Sequence, residues 1–101
     1  MLRTIHLHGH LRRLFGSTYE LDAATIIEAL RGISVQVPGF QKELMRGYYR
    51  VSVDESVVVE EMLSLGLGSK KNIHLKPQNV ASGIETIAII GLDLIAGISR
   101  S

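Results

Sequence analysis

An α+β fold, one mixed sheet packed on one helix, is what this sequence predicts, and three observations predict it. Apolar residues at Ala23, Ile26, Ile27, Leu30, Ile33 and Val37 recur at three-and-four spacing, which lays one apolar stripe along a helix. Short runs on both sides of it alternate apolar with polar residues, the period of strands buried on one face. A helix with a single apolar face needs a cover, and every candidate strand supplies one.

The composition narrows the class. At 101 residues the chain makes one domain with a modest core, and 46% hydrophobic with 21% charged residues reads as globular. A net charge of +1 provides no bulk field toward nucleic acid or an anionic membrane. With no cysteine there is no disulfide framework, thiolate zinc site or cysteine nucleophile. Met1-Leu2-Arg3-Thr4 leads straight into an alternating pattern without the apolar run of a signal peptide, so synthesis and folding in a reducing cytoplasm are expected.

In order, Ile5, Leu7 and Leu11 alternate with His6, His8 and His10, predicting a strand near residues 5–10 with Gly9 on its inward side. Leu11 to Gly16 then form a basic connector that turns near Phe15-Gly16, and Thr18 to Leu21 a second short strand. The helix follows over 23–36, with Asp22 as its cap and Pro38-Gly39 as its stop, because a residue before proline is pushed out of helical geometry. Phe40 to Arg46 reads as a short helical turn with Phe40 and Leu44 on one side. Tyr49, Val51 and Val53 make a third strand, Asp54-Glu55-Ser56 a turn, and Val57 to Val59 a fourth strand. Glu60 to Gly68 is irregular or helical, with Met62, Leu63, Leu65 and Leu67 expected in the core, and Ile73 with Leu75 forms the last strand, stopped at Pro77.

The order strand, strand, helix, strand, short strand, strand closes naturally if the last strand returns beside the first through a right-handed connection. That architecture is the β-grasp, or ubiquitin-like fold, here expected over residues 1–79, with residues 80–101 as a linker and a flexible apolar C-terminal tail, disordered in isolation. The fold alone does not assign a function.

The residues also carry a resemblance. Ile5-His6-Leu7-His8-Gly9-His10-Leu11 followed by Arg12-Arg13-Leu14-Phe15-Gly16 is similar to the start of the tail assembly protein I family of lambda-like bacteriophages. So are Ile27-Glu28-Ala29-Leu30, Val37-Pro38-Gly39-Phe40, Leu44, Gly47-Tyr48-Tyr49 and Val51, and Ile73-His74-Leu75-Lys76-Pro77 resembles the strand that closes the family's N-terminal domain. The similarity covers roughly residues 3 to 80; single pieces are weak, and their order and spacing are the specific part. It implies a non-enzymatic factor in assembly of a phage tail tip, in the host cytoplasm and then at the virion tail tip. The partners implied are other phage tail-tip proteins, among them a tail protein with a peptidase-like domain. It also implies a longer apolar region than this chain, ending at Ser101, carries.

Among candidate sites, all four histidines (His6, His8, His10 and His74) fall on outward-facing strand positions. Histidines two apart on a strand are about 6–7 Å from each other, within reach of one metal ion. Yet no Asp or Glu adjoins them on the strand, and an outer face is polar in any case, so no metal site is expected. Arg3, Arg12, Arg13, Arg50, Lys70, Lys71 and Lys76 could form a basic patch, with Arg50 and Lys76 on the histidine face. No aromatic is interleaved for base stacking, so nucleic acid is not expected. A protein docked on the face through His6, His8, Arg50, His74 and Lys76 is the better reading. Ser56, Ser64 and Ser69 have no base in a recognisable arrangement, Glu60 and Glu61 do not share a face, and Gly66 and Gly68 lack the ending of a phosphate loop. Neither catalysis nor a cofactor is expected.

The stretch Ile84 to Ile98 is strongly apolar but holds Glu85 and Asp93 and is shorter than the ~20 residues of a membrane span. Three readings remain, a tail disordered in isolation, an association segment and a membrane-active peptide, and in an assembled state association through Ile84, Ile87, Ile90 and Leu94 comes first. Pro77 to Gly83 has the composition of an exposed linker, which makes Ser82-Gly83 a candidate processing site. A reading from a different class is a ubiquitin-like or sulfur carrier. Such carriers end in an exposed Gly-Gly, whereas Gly83 here is single and followed by 18 residues, so this reading requires C-terminal processing.

Overall fold

In the computed structural model, which describes residues 1–78 and the pair Ile87–Ala88, the opening alternation forms β1 (Leu2–Leu7). It is followed by α1 (Gly9–Phe15), β2 (Thr18–Asp22), α2 (Ile26–Gln36), α3 (Phe40–Leu44), β3 (Tyr48–Val53), β4 (Ser56–Val58), a 3-10 turn (Glu60–Met62) and β5 (Asn72–Gln78). The sheet runs β2-β1-β5-β3-β4. Its central pair, β1 and β5, is parallel, with Ile5 beside Ile73 and Leu7 beside Leu75, and its other pairs are antiparallel. This is the mixed α+β sheet expected, and its order and polarity are compatible with a β-grasp.

One face of the sheet holds the core. Ile5 and Leu7, Tyr49, Val51 and Val53, and Ile73 and Leu75 all point inward and meet Ile26, Ala29, Leu30 and Ile33 of α2. Phe40, Leu44, Leu63 and Leu67 join that core, whereas Met62 and Leu65, expected in it, are exposed because the irregular segment turns only Leu63 and Leu67 inward. Gly32 lies where a methyl group would come within 2.6 Å of a Leu21 methyl, so its bare Cα lets α2 settle onto β2.

The main helix starts later than expected. Its cap is Thr25, whose hydroxyl accepts the Glu28 N–H at 3.1 Å, while the Glu28 carboxylate reaches back to accept the Ala24 N–H at 3.1 Å. Reciprocal bonding of this kind is the logic of a capping box and satisfies two donors at once. Asp22 instead accepts from the N-terminal amine at 2.8 Å, and that hydrogen bond and charge hold its carboxyl below the ordinary carboxylate range.

The first strand also ends sooner than its alternation predicts. At Gly9 the backbone takes φ +61°, a left-handed conformation, and the chain turns into α1 instead of continuing to residue 10. A Cβ there would meet the Pro77 ring at 3.3 Å, so glycine fits both the turn and the approach. The departure of β1 explains how β5 tolerates Pro77. Thr4 and His8 donate to the Lys71 and Leu75 carbonyls, so odd positions of β5 face β1, and the N–H that proline lacks is on the side β1 has left. The last strand therefore runs through Pro77 to Gln78, opposite Tyr49 and Tyr48.

Ile87–Ala88 form β6, antiparallel to β3 with Tyr48 opposite Ala88 and Tyr49 opposite Ile87. They take the edge of β3 that β4, pairing only from Val51 to Val53, leaves open. At these two residues the chain is part of the sheet and not a tail beyond it. Ser82, Gly83, Ile84, Ile90 and Leu94 lie outside the described residues. Among the described residues no helix is long and apolar enough to cross a membrane.

Candidate functional site

Strand alternation that sends Ile5, Leu7, Ile73, Leu75, Tyr49 and Val51 inward sends His6, His8, His74, Lys76, Arg50 and Ser52 to the opposite face. No described helix packs there, because α2 occupies the other side. Register then sets the neighbours. His6, His74 and Ser52 share one row across β1, β5 and β3. Arg50 is directly opposite Lys76 in the next row, and His8, one residue past the Leu7–Leu75 pair, extends that row onto the first strand.

The histidines form a connected group. His6 and His74 stack with ring centroids 4.4 Å apart and planes 11° from parallel. His8 Nε2 is 3.0 Å from His74 Nδ1, so one ring donates and the other accepts. His6 Nε2 is 3.0 Å from Asn72 Oδ1, an acceptor, and therefore carries its proton on that nitrogen. Asn72 is held in turn by Asp54, which accepts its backbone N–H at 3.0 Å and its side-chain N–H at 3.3 Å. Those bonds, the backbone one foremost, keep the Asp54 carboxyl below its ordinary range.

Partial burial, followed by the charge of Lys76, His6 and Arg12, pushes the His8 pKa below 6.5. For His74 burial is again the first cause, followed by His6, His8 and Lys76. Both therefore favour the neutral form at neutral pH, and their mutual hydrogen bond requires that the accepting ring be neutral. As pH falls through about 6.5 the unfolded chain takes up protons before the folded one, so stability falls with it, until the folded-state pKa values are passed. Urea denaturation followed by circular dichroism is expected to give a lower midpoint at pH 5.5 than at pH 7.5, and His74→Gln is expected to flatten the difference. An equal slope in that variant would remove the histidine pair as the cause.

Two sequence expectations are corrected here. His10 is not on this face: it belongs to α1, where its Nε2 is 3.4 Å from Glu43 Oε2 on α3, because the turn at Gly9 takes it out of the strand. Arg3 is not part of a surface patch. It points inward, is 5% exposed, and donates to the carbonyls of Ala23 at 2.6 Å, Gly68 at 2.9 Å and Lys70. Arg12, Arg13, Lys70 and Lys71 are exposed, and Arg12 is near enough for its charge to act on His8.

Among the described residues no group of three or more histidine, aspartate or glutamate side chains is arranged to hold a metal ion. A separate cavity of about 110 Å³ lies between β4 and the loop after it, lined by Val57, Met62, Leu65 and Leu67, with Lys70 and Ser56 as the polar side chains among the described residues. No protein-family model, curated protein or solved structure matches this chain.

Proposed function

We propose that the chain is a non-enzymatic assembly factor of a phage tail tip that works by binding other tail proteins through the open face of its sheet. The observation that supports this most is the face itself: His6, His8, His74, Lys76 and Arg50 gathered across three adjacent strands, opposite the face that packs on α2. A sheet face without a helix over it is a flat surface on a rigid frame, suited to protein contact. The similarity of the ordered pieces from Ile5 to Pro77 to the tail assembly protein I family supports the particular setting.

The test has a genetic and a chemical half. Deleting the gene from the phage or prophage that carries it is expected to leave particles with defective or missing tails, and normal tails would refute the proposal. A photocrosslinking amino acid in place of Ser52, which lies in the middle of the face, is expected to capture tail proteins during assembly. The same group at exposed Val35, on the far side of α2, is expected to capture none. Equal capture at both positions would refute the face.

A further inference from the structure

β4 is the last strand in the sheet order, and among the described residues no strand pairs with its outer side. Register decides which of its backbone groups face that side. The Asp54 N–H donates to the Asn72 carbonyl, so even positions of β3 bond to β5 and odd ones to β4. Val51 and Val53 thus bond to Val58 and Ser56, while Val57, opposite Ser52, turns its N–H and C=O outward. Beside this edge lies the cavity of about 110 Å³, and Val57, Met62 and Leu65, which line it, are 42%, 45% and 58% exposed. Large apolar side chains gathered at one opening mark a contact surface.

We propose that β4 and this cavity form a docking site for an extended segment of a partner protein, which places one large apolar side chain in the cavity and a carboxylate against Lys70. The site is at the edge of the sheet and on its helix side, so it stands apart from the open face and does not depend on the reading above.

Geometry sets each part of the segment. Pairing with Val57 adds two backbone hydrogen bonds, the way an extended peptide joins a sheet edge, and pockets for alternate side chains then give specificity. The residue paired with Val57 sends its side chain to the open face, as Val57 does. Its neighbour in the segment points to the side of Ser56 and Val58, where the cavity lies. Apolar cavities of about 150 Å³ take a benzene-sized group, so one of about 110 Å³ suits a single leucine or isoleucine side chain. Lys70 also lines the cavity, and among the described residues none of the lining side chains is acidic. The charge of Lys70 reaches Asp54, but that carboxylate is held by the Lys71 and Asn72 N–H groups. The cavity therefore favours a carboxylate, and on an extended segment the next position on the anchor's side is two residues from it.

The probe is the capped peptide Thr-Glu-Thr-Leu-Thr-Glu-Thr, which offers a carboxylate two residues from its leucine in either direction. It is titrated into the full chain and followed by amide NMR shifts. Shifts are expected at Ser56, Val57, Val58, Met62, Leu65 and Lys70, and none at His8 or Val35. Replacing the leucine of the peptide by alanine is expected to weaken binding about tenfold, and replacing both glutamates by glutamine about threefold. Lys70→Gln is expected to weaken binding about threefold and to make it indifferent to the two glutamates. Val57→Pro removes the outward N–H without breaking a ladder bond, and is expected to weaken binding about tenfold while thermal melting verifies the fold. Absence of shifts, shifts elsewhere, or an alanine peptide that binds as well as the leucine one would each overturn the inference. So would unchanged binding by Lys70→Gln or by folded Val57→Pro. Should Val57→Pro not fold, peptides N-methylated at one or the other set of alternate residues test the same bonds from the partner's side, and unimpaired binding of both would overturn the inference. Shifts at Val57 and Leu65 that depend on chain concentration without peptide would give the site to a second copy. Contacts from residues 89–98 to the Leu65 methyls in the free chain would give it to the chain's own end, and either result would overturn the partner segment.

Discussion

Replacing Arg3 with methionine is expected to lower stability by about 3 kcal/mol, more than any surface substitution in this chain. The side chain is 5% exposed, and its guanidinium donates to the carbonyls of Ala23, Gly68 and Lys70. One side chain thereby ties the entry to α2 and the loop before β5 to the start of β1. Methionine matches the length and apolar stem but leaves three carbonyls without that donor, and leaving a buried polar group unpaired costs about 1–3 kcal/mol each. Water reaching the loop at 68–70 offsets part of this. Arg3→Lys is expected to recover only a fraction, because an ammonium cannot reproduce the planar fork. In urea, with a slope of about 1–3 kcal/mol/M for a domain this size, the midpoint falls by roughly 1 M or more. A change within about 0.5 kcal/mol would mean that the bonds are worth no more than their replacement by water.

Arg3 also shows where the sequence could be read and where it could not. The alternation Arg3, Ile5, Leu7 puts the arginine on the inward face, a signal that was present and outweighed by the habit of placing arginine on the surface. Thr25-Ile26-Ile27-Glu28 is likewise an evident capping box, masked by Asp22 at the visible start of the apolar stripe. The core was legible because burial enforces period: Ile26, Leu30 and Ile33, the alternating residues of β3 and β5, and the pair Phe40 and Leu44 are all buried as the spacing predicts. The turn at Gly9 was not. A glycine in an alternating run suits a bulge, a close approach or a left-handed turn equally well, and what decides is Pro77, sixty-eight positions later, packed against it. The candidate face divides in the same way. That His6, His8 and His74 share a face follows from alternation, but the His6–His74 stack and the Arg50–Lys76 opposition depend on register, which no local pattern fixes. The pairing of Ile87 with Tyr49 is a long-range fact of the same kind.

Phe40→Ala is expected to cost about 3–5 kcal/mol, the usual range for deleting a buried phenylalanine ring. The ring is fully buried, and it meets Phe15 edge-on, with centroids 5.4 Å apart and planes at 72°. Pro38 ends the preceding segment and Gly39, at φ +86°, turns the chain so that Phe40 begins α3 facing the core. The loss is therefore not a simple cavity. Phe15 is the last residue of α1, the element formed where β1 turns aside, and its ring loses an edge-to-face partner worth about 0.5–1.5 kcal/mol beyond buried area. A double-mutant cycle with Phe15→Ala is expected to show coupling of that size, whereas Phe40→Leu, which refills most of the volume, costs less than half as much as alanine. Because α1 packs on β5 through Gly9 and Pro77, amide exchange in Phe40→Ala is expected to rise first in α1 and at His8, and last at Ile73 and Val51 in the central strands. Exchange rising equally everywhere would mean that α1 has no stability separate from the sheet, and that the end of the open face at His8 is as rigid as its middle.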